Sequence, residues 1–321
     1  MKRKNYVFRS GKRVSKKVEG LDPETIKHKE KTKIILELRR EFPVIKLKTW
    51  LELVAIPKSS FYEWKAKLNQ SEEDTEENTL IEAIKAIIDA SSQSYGYRRV
   101  TLALNQRGRK INHKRVLRIM RENQLLCVKF RRKSRRYSSF KGEVGTIADN
   151  HLDRQFVTEE PNQVWVSDVT EFKVAHSESK LYLSPIMDLY NSEIIAYSLS
   201  QSPTVKFTNQ SLEDALTTLP EQHDLMVHTD QGFHYQHWSW VKLLEENNIC
   251  QSMSRRGNCL DNAPMENFFG LLKQEMYYGE TFESIEELEA RIRSYIYWYN
   301  HERIKTKLNG LSPIQYRLQA A

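Results

Sequence analysis

The 321-residue chain holds only 3 cysteines, and Cys127, Cys250 and Cys259 form no C-x-x-C pair. That scarcity argues against a disulfide framework and against a structural zinc site, and points to a reducing, cytosolic compartment. Glycine (11) and proline (9) are also sparse, which argues against fibrous or low-complexity material. No stretch approaches the roughly 18 apolar residues of a membrane span, and the start lacks the apolar core of a signal peptide. Several well-known catalytic strings are missing as well: G-x-x-x-x-G-K-[ST], a G-x-G-x-x-G after a strand, H-E-x-x-H and G-x-S-x-G.

Charge, by contrast, is abundant and unevenly placed. Residues 1–150 carry 36 Lys and Arg against 18 Asp and Glu, a balance of +18; residues 151–321 carry 14 against 24, a balance of −10. A basic half joined to an acidic half fits a polyanion-binding region attached to one that holds cations. Residues 1–17 contain eight basic residues and no acid, so a disordered tail over 1–22 is expected until it meets phosphate.

From about Pro23 the pattern turns helical, with Ile34, Ile35, Leu38 and Phe42 on one face and Pro43 as the stop. Trp50, Leu51 and Val54 mark a short second helix, and Ala55-Ile56-Pro57 leads to a third that opens at Ser59-Ser60. Residues 23–70 therefore fit a helix-turn-helix, although a plain three-helix bundle suits the pattern equally well. The acidic run Ser71-Glu-Glu-Asp-Thr-Glu-Glu77 reads as a solvated linker or helix start. Residues 71–125 make a better second helix-turn-helix. Arg98 and Arg99 open a helix that stops near Gly108, Asn112 caps a last helix that turns Lys114, Arg115 and Arg118 outward, and all five basic residues are candidate DNA contacts. A linker over 126–160 follows. Its segment 126–141 has seven basic residues and no acid, including Lys129, Arg131, Arg132, Lys133, Arg135 and Arg136, interleaved with Phe130, Tyr137 and Phe140. Such a segment suits phosphate contact and base stacking.

After Pro161 the texture changes to α/β. A β-run spans Gln163–Phe172, further strands span Leu181–Leu189, Glu193–Ser200, Asp224–His228 and Ile249–Met253, and helices lie between and after them. This order predicts a mixed five-stranded sheet flanked by helices over residues 161–321. Three carboxylates occupy informative places. Asp168 lies inside the first β-run, where an unpaired charge is costly. Asp230 follows the fourth strand in His228-Thr-Asp-Gln-Gly232. Glu266 sits in the first turn of a helix introduced by Asp261-Asn-Ala-Pro264, where the helix N-terminus favours its ionised form. Carboxylates at adjacent strand ends and on a facing helix can converge on hard divalent cations, and two such cations serve in-line phosphoryl transfer. Between Asp230 and Glu266 lie 35 residues. Lys273, seven residues beyond Glu266, shares its helix face and can reach a phosphate.

In these residues the chain resembles the DDE transposases and retroviral integrases. The strings His228-Thr-Asp-Gln-Gly, Ser252-Met-Ser-Arg-Arg-Gly-Asn, Asp261-Asn-Ala-Pro-Met-Glu-Asn-Phe-Phe and Tyr299-Asn-His-Glu-Arg303 narrow the resemblance to bacterial insertion-sequence transposases of the insertion-sequence-three family, in particular the integrase-like product of the downstream reading frame. Tyr95-Gly-Tyr-Arg-Arg and Asn112-His-Lys-Arg-Val extend it through the second helix-turn-helix, so that it covers roughly residues 40–318. The resemblance implies an RNase H-like catalytic domain, two Mg²⁺ or Mn²⁺ ions held by Asp168, Asp230 and Glu266, and Lys273 as a DNA contact. It implies cleavage at element ends and strand transfer without a covalent protein–DNA intermediate. The expected partners are double-stranded DNA, as terminal inverted repeats and target, and further copies of the chain assembled on it. The resemblance also implies an upstream frame that supplies a further helix-turn-helix and a leucine zipper, and since this chain shows no zipper heptads, an upstream-frame product is another expected partner. The expected location is the bacterial cytoplasm, at the nucleoid.

Arg255 and Arg256, before the catalytic helix, are further candidates for gripping DNA, against a simple solvated loop. Asp188 is read as a turn residue, Asp261 as a helix cap and His228 as a packing residue near the site; Asn300 and Arg303 are read as structural or DNA-facing. Two other functions compete: a tyrosine or serine recombinase working through a covalent link, and a DNA-binding regulator with no chemistry.

Overall fold

The computed structural model describes residues 27–130, 147–255 and 259–320. The expected basic tail, five of the candidate DNA contacts (Arg131, Arg132, Lys133, Arg135, Arg136) and Arg256 lie outside them. The chain divides into two compact units, Met1–Ala83 and Ile84–Ala321.

In the first unit, α1 (His28–Glu41) and α2 (Leu47–Leu53) pack with the start of α3 (Lys58–Ala90). Ile35, Leu38, Trp50, Leu51, Val54, Ile56 and Phe61 form its core. The turn between α2 and α3 places Ala55 at φ 50°, and Lys31 donates through Nζ to the Ala55 carbonyl at 3.2 Å. The acidic run at 71–77 is not a linker. It is helical, one stretch of the 33-residue α3, because it contains neither Gly nor Pro and is dominated by Glu, a good helix former.

The second unit begins within α3, whose Ile84, Ile87 and Ile88 are buried. Helices α4 (Tyr97–Gln106) and α5 (His113–Glu122) pack through Val100, Leu104, Val116, Ile119 and Met120. As expected, Asn112 caps α5: its Oδ1 accepts the Lys114 N–H at 2.8 Å. This helical pair is fastened to the C-terminal region of the chain. The Tyr95 hydroxyl accepts the Ile304 N–H at 2.7 Å, and Gln106 Nε2 donates to the Gly310 carbonyl at 2.7 Å.

The sheet contains β1 (Val164–Ser167), β2 (Thr170–Lys173), β3 (Lys180–Asp188), β4 (Glu193–Ser200), β5 (Met226–Thr229) and β6 (Cys250–Met253). Six strands replace the expected five because the first β-run is interrupted. Asp168 folds its carboxylate back to accept the Val169 N–H at 2.7 Å, and the strand lapses for these two residues. The flanking pieces nevertheless share one antiparallel register on β3, with Ser167 opposite Ile186 and Thr170 opposite Leu183. The six strands thus fill five lanes, with β4, β3 and the β1–β2 lane antiparallel and β1, β5 and β6 parallel.

Alternate residues of β1 serve opposite faces. Val164 and Val166 join a core with Phe268, Leu272, Ile292 and Tyr299 from α9 (Ala263–Leu272) and α10 (Ile285–His301). Trp165 joins the other core with Leu212 and Leu244 from α6 (Val205–Leu216) and α8 (Trp238–Glu246). Two helices link β5 to β6: α7 (Phe233–Gln236) precedes α8, and the His237 side chain between them accepts the Ser239 N–H. The helix bearing Glu266 is α-helical to Leu272, and a π turn, Lys273–Tyr277, completes it. The last helix, α11 (Pro313–Ala320), is tied back by Arg317, whose guanidinium pairs with Asp188 at 2.6 Å and Glu193 at 2.7 Å. Asp188 also accepts the Asn162 and Tyr190 N–H groups at 3.0 Å each, so the expected turn role extends to anchoring the C-terminal helix.

Candidate active site

Parallel pairing aligns two of the three carboxylates. Val166 of β1 stands opposite His228 of β5, so Asp168 and Asp230, each two residues further on, leave neighbouring strand ends at the same edge of the sheet. Adjacent strands lie about 4.8 Å apart, and ligands of open α/β sheets gather at this carboxyl edge. Both side chains are half-buried. The Asp168 carboxyl is pushed well above the usual carboxylate range, first by burial, then by the charge of Asp230 and more weakly by Glu266, against the Val169 N–H and Lys273. Asp230 is raised by burial as well, opposed by the Gly232 N–H and His234. Two such groups take up a proton more readily than either alone.

Gly232 is a necessity of this arrangement. Its N–H donates to Asp230 Oδ1 at 2.8 Å, and a Cβ at this position would lie 2.8 Å from the same oxygen. Beneath the pair, the buried Tyr235 hydroxyl shares a hydrogen bond with Ser167 Oγ at 3.2 Å. Burial and then the charges of Asp168 and Asp230 hold that phenol well above its usual range, so it stays a neutral floor. Nothing in the sequence reading singled it out.

Glu266 projects from the first turn of α9 and is exposed. Partial removal from water raises its carboxyl, contrary to the lowering expected from the helix N-terminus. Its charge reaches Asp168, yet no three His, Cys, Asp or Glu side chains among the described residues already form a metal-ligating cluster. Lys273 lies at the start of the π turn. Its Nζ donates to Thr170 Oγ1 at 2.6 Å and stands 5.0 Å from the centre of the Phe172 ring, close enough to Asp168 to favour its ionised form. The donor set suits a hard divalent cation: three oxygen ligands raised by burial and, at Asp168, also by neighbouring negative charge, which a bound cation would relieve.

The integrase core domain family matches residues 158–259 and again residues 266–320, and the HTH-like domain family matches residues 75–134. The chain is 43% identical over 287 residues to the putative transposase InsK for insertion sequence element IS150 of Escherichia coli K12, covering 89% of this chain and 98% of that one. It is 30% identical over 274 residues to transposase InsF for insertion sequence IS3A of the same organism, covering 84% and 93%. The chain belongs to the insertion-sequence-three family of transposases. It is therefore a polynucleotidyl transferase of the DDE and integrase class with an RNase H-like core. Among solved structures it is similar to the catalytic core domain of HTLV-2 integrase, at 19% identity and a TM-score of 0.38, over 49% of this chain and 97% of that one.

Not every candidate DNA contact of the transposase is free on its surface. Arg98 and Lys114 are exposed, Arg115 is half-buried, and Arg118 is exposed but pairs with Glu122 at 2.8 Å. Arg99 is turned inward, 3.7 Å from Glu275 and 5.6 Å from the Tyr95 ring centre. Lys129 donates to the Glu275 carbonyl at 2.8 Å. Arg255 is gripped by Asp261, through Nε at 2.9 Å and a terminal nitrogen at 3.1 Å, and reaches Asp153 at 3.3 Å.

Asp261 is not the helix cap that its position suggested. The cap position belongs to Asn262, and neither side chain bonds to the start of α9. Asp261 is buried and accepts from Arg255, from Arg154 Nε at 2.8 Å, from Asn150 at 3.2 Å and from the Arg255 N–H at 3.0 Å. These donors, Arg255 foremost, hold its carboxyl far below the usual range. His228 packs as expected, between Ser252 Oγ at 2.8 Å and Ser254 Oγ at 3.1 Å, and burial pushes its imidazole down to about 4.

Proposed function

We propose that this transposase cleaves a phosphodiester at each insertion-sequence end and joins the freed 3′-hydroxyl to target DNA, using two Mg²⁺ or Mn²⁺ ions held by Asp168, Asp230 and Glu266. The observation that carries this reading is the parallel register that sets Asp168 beside Asp230, with Glu266 near enough to act on the same charge. Bound ions would neutralise charge at the phosphorus and activate the attacking oxygen. In the first step water attacks and the phosphorus–oxygen bond breaks to leave a 3′-hydroxyl; in the second that hydroxyl attacks another phosphodiester. Positioning and electrostatics supply the catalysis, and no protein side chain is linked to DNA.

In this reading the Tyr235 hydroxyl stays protonated below the carboxylates, and Lys273 offers its charge to a phosphate beside Asp168. Residues 71–125 recognise the terminal repeat through the outward face of α5, with Lys114 and Arg118 on phosphates; residues 126–160 track the backbone and residues 161–321 perform the chemistry. The active form is an assembly of several copies on DNA at the bacterial nucleoid, helped by an upstream-frame product.

The test mixes purified protein with a labelled element end and target DNA, with and without Mg²⁺. Asp168→Asn, Asp230→Asn and Glu266→Gln are each expected to abolish cleavage and joining while leaving end binding intact. Activity in EDTA, or a trapped phosphotyrosine adduct, would favour a covalent recombinase instead.

A further inference from the structure

The helix bearing Glu266 and the strand that leads into Asp168 come from distant parts of the sequence, and a buried hydrogen bond crosses between the head of the one and the end of the other. Asn262 Nδ2 donates to the Ser167 carbonyl at 3.2 Å. Ser167 immediately precedes Asp168; Asn262 immediately precedes α9 and lies about one turn before Glu266. We propose that Asn262 is a positioning residue that sets the separation of Asp168 and Glu266, and with it the affinity of the site for its divalent ions. This rests on the metal-dependent reading above.

Three features carry the assignment. Asn262 occupies the cap position of α9 but does not cap it; its amide is spent on β1 instead. The Ser167 carbonyl requires the NH₂ side of that amide, so Oδ1 faces away, and among the described residues it is buried without a hydrogen-bond partner. An orphaned buried acceptor is destabilising, a penalty that a residue serving helix stability alone would avoid and that a functional site tolerates. Finally, the preceding residue is immobilised independently: Asp261 is clamped by Arg255, Arg154 and Asn150. The two adjacent side chains therefore fix the head of α9 in two directions, Asp261 toward the segment at 150–154 and Asn262 toward the end of β1. Glu266, exposed and without such ties among the described residues, inherits its place from them.

The experiment measures Mn²⁺ binding to the DNA-free full chain by calorimetry, together with melting temperature in EDTA, end binding and strand cleavage. The variants are Asn262→Leu, which keeps the shape without the donor, and Asn262→Ala. Both are expected to bind Mn²⁺ about tenfold or more weakly, and to lose cleavage in step while end binding is unchanged. A lowered melting temperature with Mn²⁺ affinity within about twofold of wild type would mean that Asn262 is merely structural and would overturn the proposal. If both variants fail to fold, Asn262→Ser is judged by the same criterion, since its hydroxyl is too short to span the gap. Absence of Mn²⁺ binding by the wild-type chain would be a different failure, that of the metal reading itself.

Discussion

Arg303 and Glu275, 28 residues apart, form a buried ion pair in which both Arg303 nitrogens that face the carboxylate donate to it, Nε at 2.8 Å. Their side chains are 1% and 2% exposed. Tyr295 adds a donor at 2.8 Å to the same carboxylate, and the carboxylate raises the Arg303 guanidinium against burial. Removing one partner strands a buried charge, whereas removing both does not. Glu275→Leu and Arg303→Met are each expected to cost about 3–5 kcal/mol, a fall in Tm of roughly 6–12 °C. The double variant should recover a good part of that loss in thermal denaturation, and a double variant no better than the worse single one would show that the pair is not the source.

Asp168 carries the opposite kind of signature. Its folded-state pKa is raised, so the stability it contributes is full below the ordinary carboxylate value and is lost as pH rises through the raised one. Asp168→Asn should therefore raise the Tm of the metal-free protein at pH 7, and the gain should vanish near pH 3. Mg²⁺ or Mn²⁺ should stabilise the wild type and not the variant. Differential scanning fluorimetry over pH and metal gives both comparisons, and a variant less stable than wild type at pH 7 would contradict the cost of ionising Asp168 where it is buried beside Asp230.

His228 works in the other direction. With its imidazole held down to about 4, the unfolded chain binds the proton first, so stability present above about 6.5 is lost as pH falls toward 4. The full loss is on the order of 3 kcal/mol. An imidazole carbon signal that titrates near 6.5 in the folded protein would exclude the buried neutral state.

Gly232→Ala tests the crowding at Asp230 directly. The added methyl must displace either the carboxylate or the turn, and a shift of about 1 Å at a catalytic group costs on the order of a hundredfold in rate. Cleavage should fall by roughly ten- to a hundredfold while Tm changes little. Unchanged cleavage would show that Asp230 can relocate.

Much of this was legible in the amino-acid order, for identifiable reasons. Val- and aromatic-rich runs announce strands, Asn112 announces its helix, and Asp230 before Gly232 announces a strand end that meets a turn. What escaped depended on contacts distant in sequence or on competition between local rules. Asp168 looked like a strand interior because its neighbours are Val; its own hydrogen bond to Val169 breaks the strand. Asp261 looked like a cap because it precedes a helix, but Arg154, more than a hundred residues earlier, claims it. The acidic run at 71–77 looked like a linker because charge marks solvent exposure, and exposure is equally compatible with a long helix. Arg99 and Lys129 read as surface cations until Glu275 was placed beside them.

The fastening of α4 to the chain's final segment has a mechanical consequence. Because Tyr95 meets Ile304 and Gln106 meets Gly310, α4 and α5 stand on a floor supplied by the C-terminal segment of the chain. Under the proposed function a duplex seated on α5 is presented at a set reach and angle, as work is held in a jig, and trimming the chain after Glu302 is expected to loosen that grip without altering a residue of α4 or α5.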